Sequence, residues 1–131
     1  MNRIVVGGGR HLQDREFVFA ALDAMHAQEP ITRLAHGACG WDRDRPATCT
    51  PDKLEGADRW AHEWATERGV PVQTYAAKWT AQGRSAGPRR NGEMLHQERP
   101  NVVVAFPGAR GTADLIRQAE SMRLRVTQVG K

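Results

Sequence analysis

The chain has no long hydrophobic run, two cysteines, one tyrosine and only three lysines, and each shortage closes off a class of protein. No apolar stretch approaches the roughly 20 residues a membrane-spanning helix needs. Met1-Asn2-Arg3 leads straight into a strand-like run without the apolar core of a signal peptide. A cytoplasmic protein with no membrane partner is expected. Cys39 and Cys49 are too few for a disulfide framework and read as free thiols. With His36 and Asp42 they lack any C-x-x-C or H-x-x-x-H spacing, so no metal is expected. A glycine is also missing where the dinucleotide fingerprint G-x-G-x-x-G requires one, because Leu12 stands there. The acidic residue that would bind a ribose at the end of the second strand is replaced by His36-Gly37. Both absences disfavour a nicotinamide dinucleotide, and no cofactor is expected.

What is present describes one folded domain spanning residues 1–131. The chain is 40% hydrophobic and 26% charged, ordinary values for a globular protein large enough to bury a core. Its formal charge is +4, and nearly all the positive charge is arginine, the side chain suited to bidentate recognition of phosphate and carboxylate. Apolar periods alternate between strand and helix. Strands are read at Arg3–Gly7, Thr32–Ala35, Val70–Tyr75, Val102–Phe106 and Arg125–Val129. Between them fall a helix capped by Asp14, a helix carrying Trp60 and Trp64 and stopped by Gly69, a helix from about Arg89 to Gln97 behind Pro88, and a helix opening at Gly111-Thr112. Alternation of this kind means an α/β protein: a Rossmann-like three-layer α/β/α sandwich around a parallel sheet of about five strands, in the order 3-2-1-4-5.

The segment Asn101 to Leu115 organises the rest. Val102 to Phe106 is a β-branched apolar run, the mark of a strand buried on both faces. It ends at Pro107-Gly108, and a helix follows. Backbone amides and a helix N-terminus then point at one place, which favours an anion. In the 3-2-1-4-5 order this loop lies beside Gly7-Gly8-Gly9-Arg10, so two glycine-rich, arginine-bearing loops meet at the switch point.

These residues resemble the SLOG superfamily of Rossmann-like nucleotide-binding proteins, which includes the LOG phosphoribohydrolases and the DNA-processing DprA proteins. The nearest likeness is to a short bacterial and phage branch related to YspA and YpsA. It is carried by Gly7-Gly8-Gly9-Arg10, His36-Gly37, Gly56-Ala57-Asp58, Gly87-Pro88-Arg89-Arg90-Asn91 and Pro107-Gly108 followed by Gly111-Thr112. The resemblance implies a ligand site of Gly7, Gly8, Gly9, Arg10, His36, Gly37, Asp58, Arg89, Arg90, Asn91, Pro107, Gly108, Arg110, Gly111 and Thr112, and a homodimer. Arg90 matches the arginine of the LOG R-K-x-x-M stretch. The LOG signature P-G-G-x-G-T is altered at Ala109, and its downstream glutamate is Leu115 here. Residues 40–55 form an insertion relative to the family.

Three functions follow. The first is a binding module for a nucleotide or nucleotide-derived molecule, ADP-ribose-like or a nucleoside monophosphate. The second is an N-glycoside hydrolase or phosphoribohydrolase. It needs a carboxylate at the anomeric carbon, with Glu93 and Asp114 the available catalytic candidates on helices whose starts face the site; Asp114 alternatively only complements a helix dipole. The third is a DNA-binding module. The arginines gather at loop ends and form no stripe with interleaved aromatics, which argues against nucleic acid. Trp41 is either a lid over a base or the anchor of its own loop, and Trp79 has no assigned role. Trp60 and Trp64 read as core. His62 and His96 read as exposed histidines without partners.

Overall fold

The computed structural model describes residues 1–130. Five strands, β1 (Arg3–Gly7), β2 (Arg33–His36), β3 (Val72–Thr74), β4 (Val102–Ala105) and β5 (Val126–Gln128), form one parallel sheet in the order β3-β2-β1-β4-β5. The helices are α1 (Arg15–Gln28), α2 (Gly56–Arg68), α3 (Trp79–Gln82), α4 (Ala86–Glu98) and α5 (Arg110–Ser121). The expected Rossmann-like sandwich and strand order are what the chain adopts.

Side-chain alternation along β1 decides which helices lie on which face. Ile4 and Val6 join Leu34, Val102, Val104 and Phe106 in a core with α1 and α2, contributed by Val18, Leu22, Ala61 and Trp64. Val5 points the other way, with Ala35 and Val103, into a core with Met94 and Leu95 of α4 and Leu115 and Ala119 of α5. Each fully buried aliphatic side chain contributes about 1.5–3 kcal/mol. Asp14 caps α1 as expected, accepting from the Phe17 amide.

Several expectations need correction. Helix α4 starts at Ala86, before Arg89, because a 3-10 turn at Gly83–Ser85 runs straight into it. The segment 79–88, left without an element between the third strand and that helix, is therefore largely helical, and it begins with α3. The insertion 40–55 carries two 3-10 turns, Pro46–Thr48 and Pro51–Lys53. Trp64 is buried and donates its indole N–H to Asp23, whereas Trp60 is only half-buried and donates to the Leu12 carbonyl. His62 is not a free surface histidine, since it pairs with His36. His96 is exposed but its Nδ1 lies 2.8 Å from the Gly92 carbonyl. No described helix is long and apolar enough to cross a membrane.

Candidate functional site

Strand order reverses between β1 and β4, and the loops leaving these two strands lie against each other. The Gly9 amide donates to the Pro107 carbonyl at 2.8 Å, and the Phe106 amide to the Gly7 carbonyl at 2.8 Å. The glycines permit this contact. A Cβ on Gly8 would fall 2.5 Å from the Ala57 Cβ, and one on Gly108 would fall 2.9 Å from the Gly9 amide and 2.1 Å from Thr112 Oγ1. Gly111 differs, because nothing lies within 4 Å of a Cβ placed on it. The fold does not require a glycine there.

Behind these loops opens a cleft of about 1220 Å³ walled by the two loops, the first turn of α4 and the first turns of α5. Its floor and sides include Val6, Leu12, Met94, Pro88 and Leu115, and its charges are Arg10, Arg84, Arg90, Arg110 and Arg117 against Asp58 and Asp114. The start of α5 is open: no side chain caps it, and among the described residues the amides of Arg110, Gly111 and Thr112 find no protein acceptor. Such an end carries partial positive charge. Arg84 and Arg110 are exposed, and among the described residues neither makes a hydrogen bond or ion pair. Arg10 pairs with Glu55 at 3.2 Å, and Arg117 with Asp114 at 3.1 Å.

Arg90 and Asp58 form the buried polar centre. Arg90 donates to the Gly37 carbonyl and to Asn91 Oδ1 at 2.9 Å, so two of its donors are already committed inside the protein. Burial lowers its pKa, opposed by the charge of Asp58. Asp58 accepts from the Cys39 amide at 3.0 Å. Burial pushes its pKa up to about 6, against the pull of Arg90 and of the backbone amides of Cys39 and Gly37. The Cys39 thiol is raised, first by burial and then by Asp58, which opposes thiolate formation. Asp114 accepts from Asn91 at 3.0 Å, Gln118 at 2.7 Å and Arg117 at 3.1 Å.

The structure gathers most of the sequence-predicted residues here: Gly7, Gly8, Gly9, Arg10, Gly37, Asp58, Arg90, Asn91, Pro107, Gly108, Arg110, Gly111, Thr112 and Asp114 all line the cleft. Three do not. His36 is fully buried beneath it, with Nδ1 accepting from the Ala38 amide at 3.0 Å and Nε2 2.9 Å from His62 Nδ1. Arg89 points from α4 into solvent, one position away from Arg90 on a helix that turns 100° per residue. Glu93 sits beyond the cleft in a separate depression of about 430 Å³, paired with Arg43 at 3.1 Å. That depression also holds Arg33, Tyr75 and Glu98, which bond to one another.

Sequence reasoning named Asp114 as a catalytic candidate, and it lines the cleft, which follows the α4–α5 seam as well as the sheet end. It missed Cys39, Trp79, Arg84, Met94 and Arg117. Trp79 and Arg84 flank the glycine- and serine-rich segment after β3, a loop at a carboxyl strand end, and that position was the available signal. Trp41 anchors its own loop: its indole N–H donates to the Thr50 carbonyl at 2.8 Å, and it does not line the cleft. Among the described residues no group of three His, Cys, Asp or Glu side chains is placed to hold a metal ion.

Residues 2–49, covering β1, α1 and β2, match the YAcAr family, described as the YspA, cpYpsA-related SLOG family. No curated protein matches the chain. The matched segment includes the first cleft loop, Gly7–Arg10, and together with the parallel sheet in the 3-2-1-4-5 order it makes the chain similar to the YspA/YpsA-related branch of the SLOG superfamily.

Proposed function

We propose that the chain binds a nucleotide or nucleotide-derived molecule in the cleft between the Gly7–Arg10 and Pro107–Thr112 loops. The observation that carries this reading is the uncapped start of α5, whose amides face a cleft also lined by Arg110. Phosphate is the ligand group that such amides and an unpaired guanidinium satisfy together. Arg110 supplies the counter-ion. Arg90, already holding the Gly37 carbonyl and neighbouring Asp58, positions the inner wall. Asp58 on that wall is the carboxylate a sugar hydroxyl would meet, while Asn91, bonded to Arg90, Gly111 and Asp114, braces the wall. Residues 1–131 act as one SLOG-like domain, and a homodimer is proposed on the family likeness.

Calorimetric titration with AMP and ADP-ribose tests the site. Arg110→Ala should weaken binding by about 1.5–3 kcal/mol, the scale of a hydrogen bond to a charged group. Its urea midpoint should not move, because the side chain is exposed and unpaired among the described residues. Unchanged affinity in Arg110→Ala would remove the phosphate from this helix end.

Hydrolysis is expected to be very slow or absent. Glu93 lies outside the cleft, and the Asp114 carboxylate already accepts three hydrogen bonds. Losing a placed acid or base costs about 10²–10⁴-fold in rate. Chromatography of AMP incubated with the protein for hours checks this, and turnover abolished by Asp114→Asn would make the protein an enzyme.

A further inference from the structure

We infer that the Trp79 indole is the platform on which the heteroaromatic base of the bound nucleotide stacks. The inference rests on the proposed function and narrows its ligand class to molecules that keep their base, excluding base-free sugar phosphates.

Trp79 is an anomaly in this fold. Apart from Met1 it is the large apolar side chain the structure leaves exposed, at 41%. The other three tryptophans each donate their indole N–H to a protein acceptor: Trp41 to Thr50, Trp60 to Leu12 and Trp64 to Asp23. Among the described residues Trp79 Nε1 finds no acceptor. The ring nevertheless has a defined place. It lines the cleft beside Arg84, Gly87 and Pro88, and a Cβ on Gly87 would fall 3.2 Å from its Cη2. Gly87 thus lets the ring lie close against the first turn of α4.

The short helix that carries Trp79 is tethered from outside. Thr80 Oγ1 donates to Asp42 Oδ2 at 2.6 Å, the Ala81 amide to Asp44 at 2.8 Å, and the Arg43 amide to the Ala77 carbonyl at 2.9 Å. All three tethers come from residues 42–44, in the 40–55 insertion. The insertion therefore fixes an exposed aromatic ring at the rim of an arginine-lined cleft, which gives it a role the fold alone does not supply. A flat apolar ring with a guanidinium beside it suits a base, since every base has a π face and stacking tolerates differences in sequence. The phosphate end belongs to another wall, at α5, so one ligand can reach both.

Calorimetry of the whole chain with AMP and with ribose 5-phosphate, which keeps the sugar and phosphate, tests the inference. Wild type should bind AMP at least about 10-fold more tightly than ribose 5-phosphate. Trp79→Ala should lose about 10- to 100-fold for AMP, the range of a base–aromatic stack, and nothing for ribose 5-phosphate. Trp79→Phe should recover most of the AMP affinity. Asp42→Ala, which frees α3, should show the Trp79→Ala pattern in weaker form. Equal binding of the two ligands by wild type, or an equal loss of both in Trp79→Ala, overturns the platform and leaves the phosphate site standing. Binding of neither ligand by wild type overturns both.

Discussion

Between pH 6.5 and about pH 4 the wild-type chain should keep nearly constant stability, while Asp58→Asn should lose about 3 kcal/mol over the same interval. Two buried groups of opposite sign produce this. His36 is fully buried, and its Nδ1 is taken by the Ala38 amide, so the ring proton sits on Nε2 and is donated to His62. Burial first, then His62 and Arg90, depress its pKa from 6.5 to about 3. Below pH 6.5 the unfolded chain therefore binds a proton that the folded chain refuses. Stability falls as pH falls, by about 1.4 kcal/mol per pH unit. Asp58 runs the other way. Its folded pKa is about 6 against 3.8 unfolded, so between those values the folded state holds the extra proton and stability rises as pH falls. The two slopes offset each other down to about pH 4, where the Asp58 gain is complete and the His36 loss continues. The lowered pKa of His62, caused by burial, adds to the His36 side. Urea unfolding at half-unit pH steps for wild type, Asp58→Asn and His36→Gln separates them. His36→Gln should grow more stable on acidification through this range. Parallel curves for Asp58→Asn and wild type would show that Asp58 titrates normally.

That buried arrangement marks where the sequence stopped being readable. The sheet order, the meeting of the two glycine loops and the Asp14 cap were legible because each depends on local pattern: apolar runs at β1 and β4, glycines at their ends, a carboxylate three residues before Phe17. The His36–His62 pair was not, because the partners are 26 residues apart, His36 reads as a ligand residue and His62 as a solvated one. Asp58 and Arg90 were both named as site residues from family likeness. Their neighbourhood, with Arg90 holding the Gly37 carbonyl across 53 residues, belongs to tertiary structure. Helix α3 escaped notice because four residues give no period to read, and its stability comes from Asp42 and Asp44 outside it. Asp114 was legible as a candidate because the start of its helix faces the site, and the cleft reaches it along the seam between α4 and α5.

Gly56→Ala should be among the most damaging single-methyl changes, costing roughly 2–5 kcal/mol and abolishing ligand binding in the molecules that still fold. Gly56 opens α2 with φ at +62°, in the left-handed region that costs an alanine about 1–2 kcal/mol. A Cβ there would also lie 2.1 Å from the Gly9 carbonyl oxygen and 2.6 Å from the Arg10 Cα. These are backbone atoms of the first cleft loop, which cannot swing aside as a side chain could, and forced overpacking adds about 1–3 kcal/mol. The same loop is held by the Ala57 amide, which donates to the Gly9 carbonyl at 3.1 Å, so relief of the clash breaks a second contact. Two other glycines separate the contributions. Gly69 ends α2 with φ at +69° and nothing within 4 Å of its Cβ position, so Gly69→Ala should cost only the conformational part. Gly111 has open space and an ordinary φ at the start of α5, and Gly111→Ala should be neutral or slightly stabilising, since alanine outranks glycine in a helix. Urea midpoints at constant m should therefore rank Gly111→Ala, Gly69→Ala and Gly56→Ala in falling order. The difference between the last two measures how firmly α2 is packed against the Gly9–Arg10 loop. If Gly56→Ala costs no more than Gly69→Ala, that loop yields freely, and a rigid cleft wall at Gly9 has to be given up.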